Sequence, residues 1–570
     1  MKLSYLFMVA SLVLLSLTGV SACTSEIPAP QPVPLTPPSE ATEPTEAGFV
    51  SEPGALQYEP KLATAKNEFF ATSGTCAACH QNIQAEQAQD VSFDSLWRST
   101  SMANAARDPY FLATVRSEIT HLPELREVIE DKCATCHLSM AHFVDKAQGR
   151  TSQIFDEGGY LDPAHPNHAL GKEGVSCTVC HQIRADNFGE ESSFSGGMSF
   201  DLQNSELRTV YGARPAEAAT VMEAIGYAAE QSEHIRKSEL CATCHMLYTP
   251  YVTSEGQISD TLFPEQTPYL EWLASDYAST NSCQDCHMPK AAGPAQISNL
   301  TQTTYEGVAL HTFVGGNAVL LGMLKDNADE IQPTAEIGHF TASIHETEIM
   351  LTEQTAQIII ENTAFENGIL SFDVEINILT GHKFPSSFPS RRAWLHLTVT
   401  DNRGQVVFES GGMDGAMIVG NDNDLDEHAY EPHYESITNP DQVQIYESIL
   451  GTDTGEVTTA LLEAGQYLKD NRLLPRGFDK GNVSADIAVY GAAQTDENFE
   501  SGGDTMRYEI PLSGEGFTVT VELRYQPIGY RWAYNLEEDD SAEAQDFMRY
   551  FDGLPYNSLL VAQAEAQVGP

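Results

Sequence analysis

The sequence has few positive charges for its size. Its 570 residues include 30 Lys and Arg against 81 Asp and Glu, so the formal net charge is −51. Proteins that bind nucleic acid gain free energy when their Lys and Arg side chains displace counterions from phosphates, and a strongly acidic chain lacks that contribution. The composition therefore excludes nucleic acid as a partner.

Motifs of several common enzyme classes are also missing. The sequence contains no nucleophile elbow, no P-loop and no dinucleotide-binding fingerprint. We find no organised pair of carboxylates for acid–base catalysis. The length and the hydrophobic content of 41% still predict a globular protein of two or three domains.

The chain begins with a pattern typical of an export signal. In residues 1–22, Lys2 precedes an apolar run that ends in small residues. The ending Val20-Ser21-Ala22-Cys23 resembles the lipobox of bacterial lipoproteins, in which the peptide is cut before a cysteine that then carries lipid. An ordinary signal peptide or a membrane anchor is the alternative. Several acyl chains on Cys23 would anchor the protein stably.

Residues 23–65 are rich in proline and predict an extended linker. Such a segment spans on the order of 100 Å, because polyproline-like chain extends by about 3 Å per residue. Thr24, in place of Asp, permits sorting to the outer membrane. We therefore expect a lipid-anchored protein of the bacterial cell envelope, on the outer membrane, facing the periplasm or the cell surface.

The ten cysteines after Cys23 fall into five Cys-x-x-Cys-His frames. These are Cys76, Cys79 and His80; Cys133, Cys136 and His137; Cys177, Cys180 and His181; Cys241, Cys244 and His245; and Cys283, Cys286 and His287. This frame is the attachment signature of c-type haem, with the histidine as the proximal iron ligand. A zinc half-site or a redox dithiol needs no histidine after each pair, and a disulfide scaffold shows no repeated frame. The sequence thus predicts five covalently bound haem c groups in residues 66–335.

Each iron has a sixth coordination position, and five other residues are candidates for it. They are His142, His234, His311, His382 and Met102. A second protein ligand favours electron transfer, whereas an open position permits substrate chemistry. A His/Met pair at Met102 would raise the potential of that haem relative to a His/His pair.

The sequence resembles multihaem c-type cytochromes related to the tetrahaem cytochromes of nitrogen-cycling bacteria. The phrases that carry this resemblance are SMANAARDPYF (101–111), GVSCTVCHQI (174–183), SELCATCHMLYTPY (238–251), SCQDCHMP (282–289), HTFVGGN (311–317), TGHKFPSSFPSRRAWLH (380–396) and YLKDNRLLPRGFDK (467–480). The resemblance implies that His382 is a distal ligand, and that Met102 stands where relatives carry a distal histidine. No Cys-x-x-Cys-Lys frame occurs, unlike in the pentahaem ammonia-forming nitrite reductases.

Apolar and polar residues alternate in the second half of the chain, which predicts strands with one buried face. The clearest runs are 370–378, 393–399 and 517–525. We expect helical segments near 458–467 and 542–551. The predicted fold class is α+β and multidomain: a mainly α and irregular haem-packed domain, then a β-sandwich-like domain at 345–540 and a C-terminal helix or tail at 541–570.

Two local features of this half suggest ligands. Arg391 and Arg392 suit carboxylates, including haem propionates, or are a surface charge pair. The acidic run 422–427 offers alternating carboxylates for calcium, although Glu427 stands where an EF-hand needs glycine, and a solvated loop is the alternative.

These features predict an extracytoplasmic, membrane-anchored cytochrome that relays electrons between redox proteins or quinone-linked membrane complexes. We expect an electron carrier rather than an enzyme with its own substrate. The alternatives are a multihaem oxidoreductase that acts on a small nitrogen or sulfur compound at one open haem, and a β-rich docking module for a larger complex.

Overall fold

The computed structural model describes residues 58, 60–85, 89–203 and 206–569. The predicted signal peptide, Cys23 and most of the predicted linker lie outside the described residues. Residues Tyr58–Pro570 form one compact unit. Among the described residues, none of the helices is both long enough and apolar enough to cross a lipid bilayer.

Helices predominate in the first part of the described chain. They are α1 Ser73–His80, α2 Phe93–Arg98, α3 Pro109–His121, α4 Arg126–His137, α5 Ser139–Ala147, α6 His168–Gly171, α7 Cys177–Cys180, α8 Ala219–Ala224, α9 Ser238–His245, α10 Pro268–Leu273, α11 Cys283–His287, α12 Ala318–Asp326, α13 Ala328–Ile331, α14 Ile337–Gln354, α15 Asp422–Leu425, α16 Tyr530–Tyr534 and α17 Ala542–Asp552.

Strands predominate after α14. The strands are β1 Arg208–Gly212, β2 Tyr227–Gln231, β3 Leu247–Val252, β4 Ile258–Gln266, β5 Ala295–Gln296, β6 Thr304–Tyr305, β7 Ala356–Glu366, β8 Ile369–Ile378, β9 Arg392–Asp401, β10 Val406–Ser410, β11 Met413–Asp414, β12 Met417–Ile418, β13 Ser436–Ile437, β14 Ile445–Gly451, β15 Val457–Thr458, β16 Gln466–Asp470, β17 Gly503–Pro511, β18 Phe517–Gln526 and β19 Leu559–Val568.

Two larger sheets organise this second part, which we call the β-rich part (residues 356–568). One sheet has the order β15-β14-β9-β18-β19, with β10 beside β9 and β16 beside β14. The other has the order β13-β17-β8-β7. Side chains from both sheets share one hydrophobic core, which includes Phe372 and Val374 of β8 and Val519 and Val521 of β18. The fold is therefore mixed α+β.

The alternating pattern in the sequence correctly identified these strands. The predicted runs 370–378, 393–399 and 517–525 correspond to β8, β9 and β18. Every second residue of β8 is buried, as expected for a strand with one face on a core. Burial of each large apolar side chain on that face stabilises the fold by about 1.5–3 kcal/mol.

Three local expectations differ from the structure. The change from helix to strand comes after Gln354 rather than at 345, because Phe340, Ile344 and Leu351 recur at helical spacing and are buried on α14. Residues 458–467 hold a short 3-10 turn and the start of β16 instead of a helix. Helix α17 lies where expected, but the tail after it is a strand, β19, which pairs with β18.

A buried ion pair in the β-rich part provides a test of this packing. Arg392 Nη1 and Nη2 each lie 2.7 Å from an oxygen of Asp424, and the two side chains are 3% and 0% exposed. The variant Arg392→Met leaves a buried carboxylate without a cation, so the free energy of unfolding should fall by about 3–5 kcal/mol. Urea denaturation followed by far-UV circular dichroism measures this change.

The control is Arg507→Met, which removes a partly exposed ion pair with Asp373. The free energy of unfolding should then change by about 1 kcal/mol or less, because solvent screens such pairs. Equal losses in the two variants would contradict the buried role of Arg392.

Candidate functional site

Each of the five Cys-x-x-Cys-His frames lies at the end of a helix. Helices α1, α4, α9 and α11 end on the histidine of their frame, and α7 ends on Cys180, one residue before His181. Two cysteines three residues apart lie on the same face of a helix. Both thiols of a frame therefore face the same way, and the histidine follows where the helix stops. We number the frames one to five in chain order.

All five frames line one continuous cavity. Its volume is about 1450 Å³, and its walls include all ten frame cysteines and the five frame histidines. Most of the other lining is apolar, with contributions from α2, α3 and α14 and from the loop between β8 and β9. The structure thus gathers into one space five motifs that are widely separated in the sequence.

Thiols of different frames interact across this cavity. The neighbouring thiol of Cys177 lowers the pKa of Cys76, and the thiol of Cys76 raises the pKa of Cys177, so frames one and three lie side by side. Two further pairs, Cys136 with Cys244 and Cys241 with Cys283, join frame four to frames two and five.

Burial first, and the charge of Cys244 second, raise the pKa of the Cys180 thiol, which places frames three and four within electrostatic range of each other. Frame four thus adjoins frames two, three and five, and frame one adjoins frame three.

Four of the five frame histidines are held in the tautomer that suits a metal ligand. The Nδ1 atoms of His80, His137, His181 and His287 lie 2.6, 3.3, 2.6 and 2.5 Å from main-chain carbonyl oxygens. Nδ1 therefore donates, and Nε2 keeps a free lone pair for a metal. Burial lowers the pKa of His137 and of His287 to about 4, so both rings are neutral at pH 7.

Two further histidines face frame histidines across the cavity. The rings of His181 and His311 have centres 6.3 Å apart and planes 11° apart. The rings of His287 and His382 have centres 6.2 Å apart and planes 5° apart. A metal–imidazole bond is about 2 Å long, so two imidazoles on opposite sides of one metal ion have ring centres about 6 Å apart. Both pairs have the spacing of axial ligands to a shared iron.

The other three frames lack such a partner. Within the described ranges, no histidine ring faces His80, His137 or His245. The ring of Phe111 instead stacks on His137 with ring centres 3.7 Å apart, and the ring centres of Phe93 and His80 are 5.6 Å apart. Met102 lines the cavity, as its candidate role requires.

The remaining two predicted ligands do not reach the cavity. His142 Nδ1 is 2.8 Å from Ser152 Oγ, and its Nε2 is 3.3 Å from Thr135 Oγ1. His234 Nδ1 is 2.7 Å from Ser232 Oγ, and its Nε2 is 2.9 Å from the Ile183 carbonyl oxygen. Both nitrogens of each ring are thus engaged by the protein, so neither ring offers one to a metal in this arrangement.

Unpartnered polar atoms in the cavity also fit a bound group with carboxylates. The buried hydroxyls of Ser176, Tyr227 and Thr312 line the cavity and have no hydrogen-bond partner among the described residues. Buried polar atoms normally find a partner, so these atoms point to a missing one. Haem propionates would accept from them. Sequence reasoning missed these hydroxyls, although Ser176 and Thr312 lie directly beside Cys177 and His311.

The two arginines that were candidates for propionates have different surroundings. Arg391 lines the cavity, and its charge acts on His245 and His287. Arg392 is instead paired with Asp424. Only Arg391 is placed to meet a group bound by frames four and five.

The acidic run 422–427 does not form a shared coordination point for calcium in this structure. Asp424 is held by Arg392, and Glu427 pairs with Arg531. Asp426 accepts a hydrogen bond from the backbone of His428. These partners are internal to the protein, as in a structural loop.

A buried cluster outside the cavity has the composition of a metal site. His433, Asp496 and Asp504 place ligand atoms within 4.8 Å of one another. However, Gln444 Nε2 and Asn471 Nδ2 donate to His433 Nδ1 at 2.8 and 3.1 Å, and both amide oxygens already accept backbone N–H groups. The ring proton must then be on Nε2, facing Asp496 at 3.1 Å. A metal-binding histidine donates from its second nitrogen, so this cluster is a hydrogen-bonded His–Asp pair.

No family model and no curated protein matches the chain. A solved structure that is similar is that of a penta-heme cytochrome c552 from Thermochromatium tepidum, with 17% sequence identity over 87% of this chain and 98% of that chain, and a TM-score of 0.48. These values are too low to transfer the function of that protein to this chain.

The histidine pairs can be tested by ligand removal in the haem-loaded protein. The variant His311→Ala removes the imidazole opposite His181, so one ferric haem should change from low spin to high spin and bind cyanide. Optical and electron paramagnetic resonance spectra report this change. In the control His234→Ala, the haem spectra should stay as in the parent protein. An unchanged spectrum for His311→Ala would contradict the pairing.

A buried carboxyl at the cavity wall predicts a pH dependence of stability. Glu118 accepts a hydrogen bond from the backbone N–H of Leu461 at 2.7 Å, and burial raises its pKa from 4.5 to about 7. Between these pKa values the native state holds a proton that the unfolded chain has released. The free energy of unfolding therefore falls as the pH rises through this window.

The variant Glu118→Gln should remove this fall, which amounts to at most about 1.4 kcal/mol per pH unit. Urea denaturation at about pH 5 and about pH 8 gives the free energy of unfolding at each pH, and so the fall between them. The exposed Glu124 offers the matched control, since Glu124→Gln should keep the slope of the parent protein. If Glu118→Gln and the parent protein lose the same free energy of unfolding between these pH values, the raised pKa of Glu118 is contradicted.

Proposed function

We propose that this chain is an extracytoplasmic, lipid-anchored cytochrome with five covalently attached haems, and that it relays electrons between redox partners. The observation that carries the proposal is the convergence of five Cys-x-x-Cys-His frames on one cavity with two opposed imidazole pairs. When bound, the haems supply five one-electron redox centres.

The chain's own residues do three things for these groups. The ten frame thiols form the thioether bonds, and the frame histidines offer Nε2 as proximal ligands. His311 and His382 offer a second imidazole to frames three and five. The hydroxyls of Ser176, Tyr227 and Thr312, which have no partner among the described residues, would donate to haem propionates. At frames three and five, two protein ligands on one iron favour electron transfer over ligand exchange.

The proximity of the frames to one another supports a relay. Frame one adjoins frame three, frame three adjoins frame four, and frame four also adjoins frames two and five. Electrons that enter at any frame thus have neighbouring centres at each step. Frame four is the branch point of this arrangement.

The β-rich part contributes to the same site from outside the helical part. His382 lies in the loop between β8 and β9, yet it faces His287 of frame five. We propose that this part is a β-sandwich that supplies a ligand and a docking face to a haem-packed domain. The two sheets with a shared core support that description.

The proposed location rests on residues 1–65, and the proposed partners rest on the charge of the whole chain. Haem attachment of this type takes place outside the cytoplasm, in agreement with the export signal at 1–22. Lipid on Cys23 and the linker at 23–65 would hold the protein at a membrane. The net charge of −51 favours basic redox proteins as partners, and it would speed their approach at low salt.

One observation favours a second candidate function at the same site. Five irons have ten axial positions, but only seven of the chain's 17 histidines line the cavity, all of them described residues. At least three positions therefore need another ligand, and Met102 is placed in the cavity to provide one of them. The axial positions that neither a histidine nor Met102 fills support binding of a small nitrogen or sulfur compound at a haem.

Haem content tests the main proposal directly. The purified chain should contain five haems by pyridine haemochrome absorbance, with a matching increase in mass that survives denaturation because thioether bonds are covalent. The double variant Cys177→Ser/Cys180→Ser should contain four. The control Cys23→Ser should keep five haems but should leave the membrane fraction. Fewer than five haems in the parent chain would contradict the proposal.

A cyanide titration of the ferric protein separates the relay from the second candidate. If no haem binds cyanide, the protein is a carrier without an accessible iron. If one or more haems bind it, the unpaired frames one, two and four are the expected positions.

A further inference from the structure

The loop that carries His382 is tied to a group of buried charges. Lys383, the next residue, places Nζ 2.7 Å from Asp470 Oδ2 and 3.1 Å from the Ala488 carbonyl oxygen. Farther along the loop, Ser386 Oγ donates to Glu271 Oε2 at 2.6 Å. The loop is therefore held at Lys383 and at Ser386 by carboxylates from other elements.

Arg472 connects these two carboxylates. Its Nη1 lies 3.0 Å from Glu271 Oε1, and its Nη2 lies 2.8 Å from Asp470 Oδ2. The network Glu271–Arg472–Asp470–Lys383 thus runs from helix α10 to strand β16 and then to the His382 loop. It contains two cations and two anions, so its formal charge is balanced.

All four side chains are buried. They are between 0% and 5% exposed. Removing water from charges is unfavourable. The attraction within a buried network of this kind offsets that desolvation penalty only when its geometry is well defined. The loop therefore has little freedom to move while the network is intact.

The imidazole of His382 is coupled to this anchor through short local bonds. Its Nδ1 lies 2.8 Å from the main-chain oxygen of Lys383, and Thr380 Oγ1 donates to the main-chain oxygen of His382 at 2.7 Å. Phe384, two residues on, exchanges two backbone hydrogen bonds of 2.8 Å with Leu473. A displacement of Lys383 would thus turn or shift the imidazole that faces His287.

We propose that Glu271, Arg472, Asp470 and Lys383 are positioning residues, which hold His382 at the distance where its Nε2 can ligate the haem of frame five. The inference rests on the proposed function, because it needs a haem on that frame. The network does not touch the iron. It acts through His382, and it makes ligation depend on the contact between α10 and the β-rich part.

The test compares two chemically identical changes in the haem-loaded protein. Asp470→Asn removes the anion that Lys383 and Arg472 share. We expect partial loss of one low-spin ferric haem signal, a new high-spin signal and cyanide binding at that haem. Added imidazole should restore the low-spin signal by replacing the displaced ligand. The matched control Asp424→Asn breaks the buried pair with Arg392 and should leave all haem spectra unchanged.

Two further variants make each outcome decisive. Glu271→Gln disturbs the network from α10 and should give the same spectral loss, so it decides the matter if Asp470→Asn does not fold. His382→Ala should convert the frame-five haem to high spin completely; if it does not, the ligand assignment in the proposed function fails. If His382→Ala changes the spectrum while folded Asp470→Asn or Glu271→Gln does not, the positioning inference is overturned. It is also overturned if Asp424→Asn causes an equal loss.

Discussion

The convergence of five helix ends on one cavity is the constraint on which the rest of the structure depends. Each frame turns two thiols toward the cavity because its cysteines are three residues apart, and each helix stops at its histidine or one residue before it. Apolar walls around so large a space leave many side chains without packing partners unless a group fills it. The proposed haems would then form the core of the helical part, and folding of that part would depend on their attachment.

The β-rich part folds on a different principle, yet it contributes to the same cavity. Its two sheets bury alternating apolar side chains in one core, to which helices α12 and α14 also contribute. The loop after β8 leaves that core and brings His382 to frame five. Residues Tyr58–Pro570 form one compact unit. Buried charges from both the helical part and the β-rich part anchor the loop within it.

Regular local patterns were predicted well, and their ends were predicted less well. Strands β8, β9 and β18 were visible as strict alternation in the sequence, because each has one face on a core. The start of the strand-rich region was misplaced, since α14 continues its helical spacing of buried residues to Leu351. Strand β19 was missed because its identity depends on pairing with β18, and such pairing leaves a weak local signal.

The sequence by itself determined the number of attachment frames, their proximal histidines and the chemistry they imply, because all of that information lies within five consecutive residues. Only the tertiary structure decided which histidines face them. His311 and His382 are distinguished from His142 and His234 by where the fold carries them and by what their ring nitrogens contact. Composition and spacing do not predict the two ring pairs, since each joins residues that are far apart in the chain.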